Sequence, residues 1–391
     1  MYKYIQDFIR NNSRSIFSDC TVPQKKAVSE IVRGLFIAGT PILRHLVQSE
    51  KKTAKKQAEK YSHHLGNINL KEKVEAFSLK KVKNEVKKDT IIAYDLTDIN
   101  KEFSKKMEKL SVVFDGSRRD MVDGFLLHGV GVNGMLLKLQ VHEHETKTLN
   151  QVRLNIVKEL AESFGGNGIW AFDRGNDGKL FFKDLRQKLK VQFVARLRVN
   201  RTVVMKKTGA MEKLENVSVG QYPVFILDKH GRTDTKTEYL LVVSKHLPNK
   251  PPIRLLCNLK EEYSSQQIVG MYLQRWGIEN AFKRAKQKFN LEKIRVLNYQ
   301  KFVNLIVLIQ FAINVCTISF IAIQKFTDSI ISGVLICYKK FIKRKSLSIN
   351  LDSFISFLQK SLKPLILRPK KPKSIQISLL SRRQLEKLGS F

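Results

Sequence analysis

Acidic residues are scarce in this sequence of 391 residues. Asp and Glu number 35 and Lys and Arg number 71, which gives a formal net charge of +36. Such an uncompensated charge costs self-repulsion in a compact protein. A small acidic substrate would not require this excess, whereas a polyanion would, because each cation placed at a phosphate releases a counterion. The composition therefore indicates a nucleic-acid partner.

Cysteine is also rare. The four cysteines, Cys20, Cys257, Cys316 and Cys337, lie far apart and match no metal-ligand spacing. They exclude a disulfide framework and a cysteine zinc site, which fits a reducing compartment. The first residues lack a long apolar stretch followed by a small-residue cleavage site, so we predict no signal peptide. We expect a cytoplasmic protein.

Charge is absent from one stretch long enough to cross a bilayer, residues 302–324. On a helix, however, Gln310, Asn314, Thr317 and Gln324 fall within about 80° of each other. A polar stripe of this kind is typical of a buried helix in a soluble protein. We therefore predict no membrane partner.

Residues 1–88 are predicted to be helical. Apolar residues recur at helical spacing from Pro23 to Gly39, and Thr40-Pro41 has the form of a second helix start. Residues 51–89 contain 12 Lys against 5 acidic residues. Both a solvated helical face and a duplex-binding module are consistent with that excess. We assign 1–88 as a helical DNA-binding region.

The pattern changes at residue 89 to alternating strands and helices. Apolar runs predict strands at 90–95, 125–132, 135–141, 168–173 and 191–197, and an amphipathic helix at 148–164. This order indicates a mixed α/β domain. Residues 200–258 alternate like β structure and precede a long helix over 264–290. They are therefore predicted to form an all-β insertion within a domain that covers 89–300.

Residues 301–391 are predicted to be a helical, basic C-terminal region. From Lys339 to Phe391 there are 14 Lys and Arg against 2 acidic residues. Both a loose solvated tail and a contact with a nucleic-acid backbone are consistent with this composition.

Four polar residues share one face of the predicted helix 264–290. At 100° per residue, Tyr272, Arg275, Glu279 and Lys286 fall on a face about 60° wide. An ordinary ion-paired surface has the same pattern, so the helix alone does not indicate a site.

Two aspartates strengthen the functional interpretation. Asp95 follows the apolar run IIAY, and Asp173 follows IWAF. Carboxylates at strand ends lie where a sheet opens to ligands. Together with Glu279 they would repel one another unless divalent cations bound between them. Carboxylate ligands suit two Mg²⁺ or Mn²⁺ ions, which can promote phosphodiester chemistry.

At these residues the sequence resembles a known family. Tyr272-LQ-Arg275-WGI-Glu279-NAFKRA-Lys286 is similar to the YREK signature of bacterial insertion-sequence DDE transposases of the "insertion sequence four" branch. IIAYDLTD resembles the first-Asp segment of that branch, and AFDRG resembles its second-Asp segment. The resemblance spans about 90–295, and the β-rich insertion stands where that branch has one.

The resemblance implies a fold, a reaction and residue roles. The expected fold is α/β, an RNase H-like mixed-sheet catalytic core with an all-β insertion and helical terminal regions. Asp95, Asp173 and Glu279 are implied as catalytic metal ligands, and Tyr272, Arg275 and Lys286 as contacts to transposon-end DNA. The implied enzyme is a Mg²⁺-dependent endonuclease and strand transferase. It frees a 3′-OH at each end of the element and joins it to target DNA, as a homodimer in a synaptic complex.

Some alternatives remain open at this point. Asp98 could replace Asp95 as the first ligand, and His142-Glu-His144-Glu is either a polar strand end or a metal site. A catalytically inactive DNA-binding protein, from a decayed element or acting as a repressor, would carry the same charge.

The tryptophans depart from the expected pattern. Relatives that flip a base place a Trp in the β insertion, but Trp170 and Trp276 both lie outside it. Tyr222 or Phe225 is then the candidate for stacking on such a base. For Trp276 itself, packing is the favoured interpretation and stacking on DNA the alternative.

Overall fold

The computed structural model describes residues 11, 16–17, 19–46, 53–116, 118–227, 230–233, 235–325 and 329–362. The predicted basic tail beyond residue 362 lies outside the described residues, and so do the first ten residues of the predicted DNA-binding region.

An eleven-stranded mixed sheet forms the centre of the described structure. Its strands are β1 Ile91–Asn100, β2 Ser111–Asp115, β3 Asp120–Val132, β4 Met135–Val141, β5 Ile169–Phe172, β6 Gln192–Arg196, β7 Thr202–Met205, β8 Met211–Lys213, β9 Gly220–Ile226, β10 Tyr239–Ser244 and β11 Ile253–Cys257. The order is β2-β3-β1-β5-β6-β11-β10-β9-β7-β8, with β4 also paired to β3. Strands β1, β5 and β6 are parallel, and the other pairs are antiparallel. The predicted mixed α/β class is confirmed.

Helices cover both faces of this sheet. They are α1 Val22–Ala38, α2 Ala54–Gly66, α3 Lys71–Val82, α4 Leu149–Ser163, α5 Lys179–Lys183, α6 Ser265–Leu273, α7 Trp276–Lys288, α8 Tyr299–Lys325, α9 Ser329–Lys345 and α10 Leu351–Leu362. Alternate residues of β1 face opposite layers. Ile92 and Tyr94 pack with α4 and α5, whereas Ala93 and Ile99 pack with α7 and α8. The helix predicted to start at Thr40-Pro41 is only a 3₁₀ turn at Leu43–Leu46 within the described residues.

The β-rich stretch extends the same sheet. Strand β11 pairs antiparallel with β6, and β10, β9, β7 and β8 follow outward. Helix α6 then packs over β5, β6, β10 and β11 through Ile268, Val269 and Met271. This β-rich stretch therefore supplies part of the surface on which α6 rests.

Two predicted boundaries are wrong. Strand β1 continues past Asp95 to Asn100, because its pairing with β3 persists after β5 has ended. The helix predicted over 264–290 is divided into α6 and α7. At the division the amides of Arg275, Gly277 and Ile278 each donate to the carbonyl three residues earlier. This 3₁₀ geometry advances about 120° per residue, so one regular helical face does not run through the segment.

Helix α8 is long and apolar enough to cross a membrane, but 72% of its apolar window is buried in the protein. Its predicted polar stripe bonds to neighbouring elements. Gln310 donates to the carbonyls of Leu136 and Leu137, and Asn314 both accepts from and donates to the backbone of Leu136. The buried-helix interpretation therefore accounts for these polar residues, although Gln324 is exposed.

Candidate active site

Asp95 and Asp173 occupy neighbouring positions on adjacent strands. Strands β1 and β5 are parallel, with Tyr94 paired to Phe172. Asp95 directly follows Tyr94, and Asp173 directly follows Phe172. Adjacent strands lie about 4.8 Å apart. The register therefore places the two aspartates side by side. Asp95 lies within β1, whereas Asp173 follows the last residue of β5.

Both aspartates lie on the sheet face that α6 and α7 cover. Residues two positions apart on a strand share a face. Ala93 is buried against apolar residues of α7, and Ala171 against those of α6. Asp95 and Asp173, two residues further on, continue this face at the edge of the apolar layer.

The α6–α7 segment supplies the remaining polar groups. Helix α6 begins with a capping box, in which Ser264 accepts from the Gln267 amide and the Gln267 side chain accepts from the Ser264 amide. Tyr272 is in its last turn, Arg275 lies in the 3₁₀ division, and Glu279 is in the first turn of α7. The division places these three residues above the two sheet aspartates.

Arg275 bridges the three carboxylates. Its Nη1 lies 2.6 Å from Asp95 Oδ2, and its Nη2 lies 2.5 Å from Glu279 Oε1 and 3.8 Å from Asp173 Oδ1. The Tyr272 hydroxyl donates to the same Asp173 oxygen at 3.1 Å. Arg275 is only 4% exposed. The structure therefore brings together five of the six residues that the sequence singled out.

The electrostatics reflect this convergence. Burial raises the pKa of Asp95 to about 6, and the charges of Asp173 and Glu279 add to the rise, while Arg275 and the Leu96 amide oppose it. Burial also raises the pKa of Tyr272, so its hydroxyl remains a donor. A single guanidinium thus compensates three acids only in part.

The donor chemistry of this cluster fits a hard divalent cation, because all three acids present carboxylate oxygens. In the described residues, however, no three His, Cys, Asp or Glu side chains stand in a metal-holding arrangement. Arg275 lies among the acids instead, and its Nε is buried with no acceptor among the described residues. A cation could enter only if this guanidinium moved aside.

The three residues predicted to contact DNA differ in exposure. Tyr272 and Arg275 are buried among the carboxylates. Lys286 is half-buried, and its Nζ lies 3.4 Å from Asp98 Oδ2 and 3.2 Å from Glu292 Oε1. Asp98, the alternative first ligand, therefore pairs with Lys286, whereas Asp95 pairs with Arg275.

Trp276, next to Arg275, is 53% exposed, so the packing interpretation is wrong for this residue. Trp170 is fully buried in the core. Tyr222 and Phe225 are half-buried on β9, and nothing in the structure tests their predicted role at a flipped base.

A buried histidine was not singled out by the sequence. His128 on β3 accepts from or donates to the Tyr94 hydroxyl at 2.6 Å, and its Nε2 lies 3.1 Å from His142 Nδ1. The rings of His142 and His144 meet edge to face at 4.4 Å. His128 and His142 are buried and His144 is exposed, and among the described residues these histidines form no metal cluster. The only sequence signal of His128 is its position within the apolar run FLLHGVGV.

The sequence of this site matches a known family. Residues 87–315 match the family model described as a transposase DDE domain. The chain belongs to the DDE transposase family. All six predicted site residues of this transposase lie inside the matched range. Among curated proteins, no sequence match was found.

One solved structure is broadly similar to the transposase. It is the cryo-EM structure of a piggyBac transposase synaptic complex with hairpin DNA, at 13% sequence identity and a TM-score of 0.45. The similarity covers 96% of this chain and 77% of that one. At this level it establishes neither substrate nor mechanism.

Proposed function

We propose that this chain is a DNA transposase that cleaves the ends of its element and joins the freed 3′-OH to target DNA. The observation that carries this proposal is the convergence of Asp95, Asp173 and Glu279 on one guanidinium in a chain of the DDE transposase family. The spaced YREK motif supports placement in the insertion sequence four branch.

The sheet supports an RNase H-like core. Within it, β4 and β3 lie antiparallel beside β1, and β5 and β6 follow in parallel. The first Asp is on β1, the central strand of these five, and the second directly follows β5. We propose that the strands beyond β6 are the insertion of this core.

The carboxylates of Asp95, Asp173 and Glu279 would hold Mg²⁺, or Mn²⁺. When bound, two such ions would activate the attacking hydroxyl and stabilise the leaving oxygen of a phosphodiester. Tyr272 would keep Asp173 oriented through its hydrogen bond. Arg275 would leave the acids and, with Lys286, hold backbone phosphates beside the reacting bond.

The proposed partners follow from the charge and the family. They are double-stranded DNA, at both the transposon ends and the target, and a second copy of the chain in a synaptic complex. The net charge of +36 supports the DNA partner. We propose that the protein acts on the nucleoid in the cytoplasm. A catalytically inactive DNA-binding protein is the second candidate, because it requires the charge and not the carboxylates.

The decisive experiment is the substitution Glu279→Gln. It removes a carboxylate and keeps the side-chain size, so we expect DNA binding close to the parental level and Mg²⁺-dependent cleavage reduced at least 1,000-fold, about 4 kcal/mol of transition-state stabilisation. The substrate is a labelled duplex made from inverted repeats that flank the reading frame, and nicking is followed on denaturing gels.

Glu262→Gln is the matched control, because Glu262 is exposed beside α6. It should cleave at the parental rate. If Glu279→Gln cleaves as fast as this control, the catalytic assignment is wrong. If the parental chain binds DNA and never cleaves it, the inactive alternative is correct.

A further inference from the structure

A cleft of about 860 Å³ lies beyond Lys286, between the chain that leaves β1 and the chain that follows α7. One wall is residues 100–107 and the other is residues 292–297, with Arg118 at the side. The cleft has no role in the site described above.

The two walls are fixed to each other. The buried Lys101 Nζ donates to the carbonyls of Glu292 and Ile294, at 2.5 and 2.7 Å. Near the other end, the Glu108 amide donates to Leu297 O, and the Glu108 carboxylate accepts from the Tyr299 amide. The cleft is therefore preformed, and a ligand would not have to order its walls.

Positive charge dominates the rim of the cleft. The two acids that line it are already paired, Glu102 with Arg118 and Glu292 with Lys286. Four other lining cations are exposed and form no ion pair with a residue that the structure describes; they are Lys105, Lys106, Lys293 and Arg295. This concentration of unpaired cations fits a series of phosphates.

Apolar surface accompanies the charge. Phe103 is 93% exposed and Leu297 is 60% exposed, both on the lining of the cleft. A fully exposed phenyl ring beside cations is the combination that binds nucleotides, because the cations hold phosphates and the ring contacts a sugar or base face.

The cleft and the carboxylate site are linked by α7 and β1. Lys286 stands two turns after Glu279 on α7, and its Nζ touches both Asp98 and Glu292. Glu292 lines the cleft, and Asp98 lies two residues before the cleft begins at Asn100. A DNA strand held at the carboxylates would therefore reach this surface just beyond Lys286.

We propose that the cleft binds the sugar–phosphate backbone of the DNA strand that continues from the reacting phosphodiester, with Phe103 against a sugar or base and without sequence preference. The proposal rests on the proposed function, because it extends the DNA path from the same carboxylates.

The test measures the salt dependence of DNA binding. A variant with all four rim cations changed to Ala is titrated against a fluorescein-labelled random-sequence duplex over a series of KCl concentrations. Because each lost phosphate contact lowers the slope of log K against log salt by about 0.9, we expect a slope shallower by about 2 to 4 units. The matched control removes the same charge from exposed lysines elsewhere, Lys158, Lys207, Lys245 and Lys250. It should lose less than about 1 unit.

Phe103→Ala supplies the second measurement. It removes no charge, so we expect binding about tenfold weaker with an unchanged salt slope. The side chain is exposed, so the thermal midpoint should stay at the parental value.

The outcomes separate the two proposals. If the rim variant still binds and cleaves DNA and keeps the parental salt slope, the proposal that the cleft binds DNA is wrong. The proposed function is then unaffected. Equal slope losses for the rim variant and its control also overturn it, since the charge then acts without regard to position. If the parental chain shows no salt-dependent DNA binding, the proposed function itself fails.

Discussion

Arg275 is the residue on which the described site depends. A buried arginine surrounded by carboxylates is stable only while the charges compensate one another, and removing one partner of such a group is far more costly than losing a surface pair. Here the guanidinium holds Asp95 and Glu279 directly and lies near Asp173. It supplies the positive charge that a divalent cation would supply in the proposed enzyme.

This leads to a prediction for Arg275→Ala. Without metal, the three acids are uncompensated, so the free energy of unfolding should fall by about 3 to 5 kcal/mol. Excess MgCl₂ should restore part of the loss by binding the same carboxylates. The measurement is thermal unfolding in EDTA and in MgCl₂.

The control is Arg284→Ala, which breaks an ion pair with Asp352 away from the site. It should lose stability without recovery in MgCl₂. Equal midpoints for Arg275→Ala in EDTA and in MgCl₂ would contradict metal binding by the three acids.

His128 gives a pH-dependent prediction. Burial lowers its pKa to about 3, and positive charge on His142, Arg153, His144 and Lys71 adds to the effect. The unfolded chain therefore binds a proton below pH 6.5 that the folded chain does not. Stability contributed by neutral His128 is full above pH 6.5 and falls by about 1.4 kcal/mol per pH unit toward pH 3.

His128→Gln should flatten this part of the stability profile, measured by urea unfolding between pH 4.5 and 7. The exposed His45→Gln should keep the parental profile. A His128→Gln profile as steep as that of the parent would assign the acid sensitivity to other groups.

The sequence singled out the three acids that the structure brings together but could not predict which residue holds them there. Asp95 and Asp173 each follow an apolar run, which is a local signal. Burial of Arg275 depends on Asp95, which is 180 positions away along the chain. No local sequence pattern indicates that contact. From the sequence alone, Arg275 and Glu279 therefore have the spacing of an exposed ion pair on a helix.

At the level of elements, the site depends on how closely α7 approaches the sheet. Gly129 on β3 is paired with Asp95 on β1. A Cβ built at Gly129 would stand 2.3 Å from the ring of Phe282 on α7. The missing side chain therefore lets α7 lie against β3, which brings Glu279 toward Asp95.

Gly129→Ala should destabilise the protein by about 1 to 3 kcal/mol through overpacking. Because α7 is displaced, cleavage should fall more than DNA affinity does. Adding Phe282→Leu should recover part of both losses, which a double-mutant cycle measures from unfolding and cleavage data.

Gly270→Ala, which adds a Cβ into open space on α6, should be neutral or stabilising. A Gly129→Ala variant as stable and active as this control would contradict the role of close approach.

Element types were more predictable than element ends. The helix predicted over 148–164 is α4, and the strands predicted at 125–132 and 135–141 are β3 and β4. The end of β1 and the division between α6 and α7 were missed, because both depend on tertiary partners. One is fixed by β3 and the other is associated with the contact between Arg275 and Asp95. Short strands such as β8 and β11 carry too few residues to show a period.

For the whole molecule, α8 connects regions that are distant in sequence. Its Asn304 bonds to the backbone of Leu65, Ile68 and Leu70 near the N-terminal helices. Six residues later on the same helix, Gln310 donates hydrogen bonds to the backbone of β4. A helix without charged residues from 302 to 324 thus joins the N-terminal helices to the sheet.

Asn314→Leu distinguishes this arrangement from a membrane span. The Asn314 side chain accepts from the Leu136 amide and donates to Leu136 O and Ser78 Oγ. Leucine removes the acceptor of the buried Leu136 amide, whereas Leu136 O keeps Gln310 and Ser78 Oγ keeps Val74 O. Stability should therefore fall by about 1 to 3 kcal/mol in urea unfolding without detergent. Ser319→Ala, which loses only a bond to Val315 O on the same helix, should cost much less. In a lipid-embedded helix the leucine would be favourable. The two interpretations therefore predict opposite signs, and a stabilised Asn314→Leu variant that requires detergent would overturn the interpretation of α8 as a helix buried in the protein.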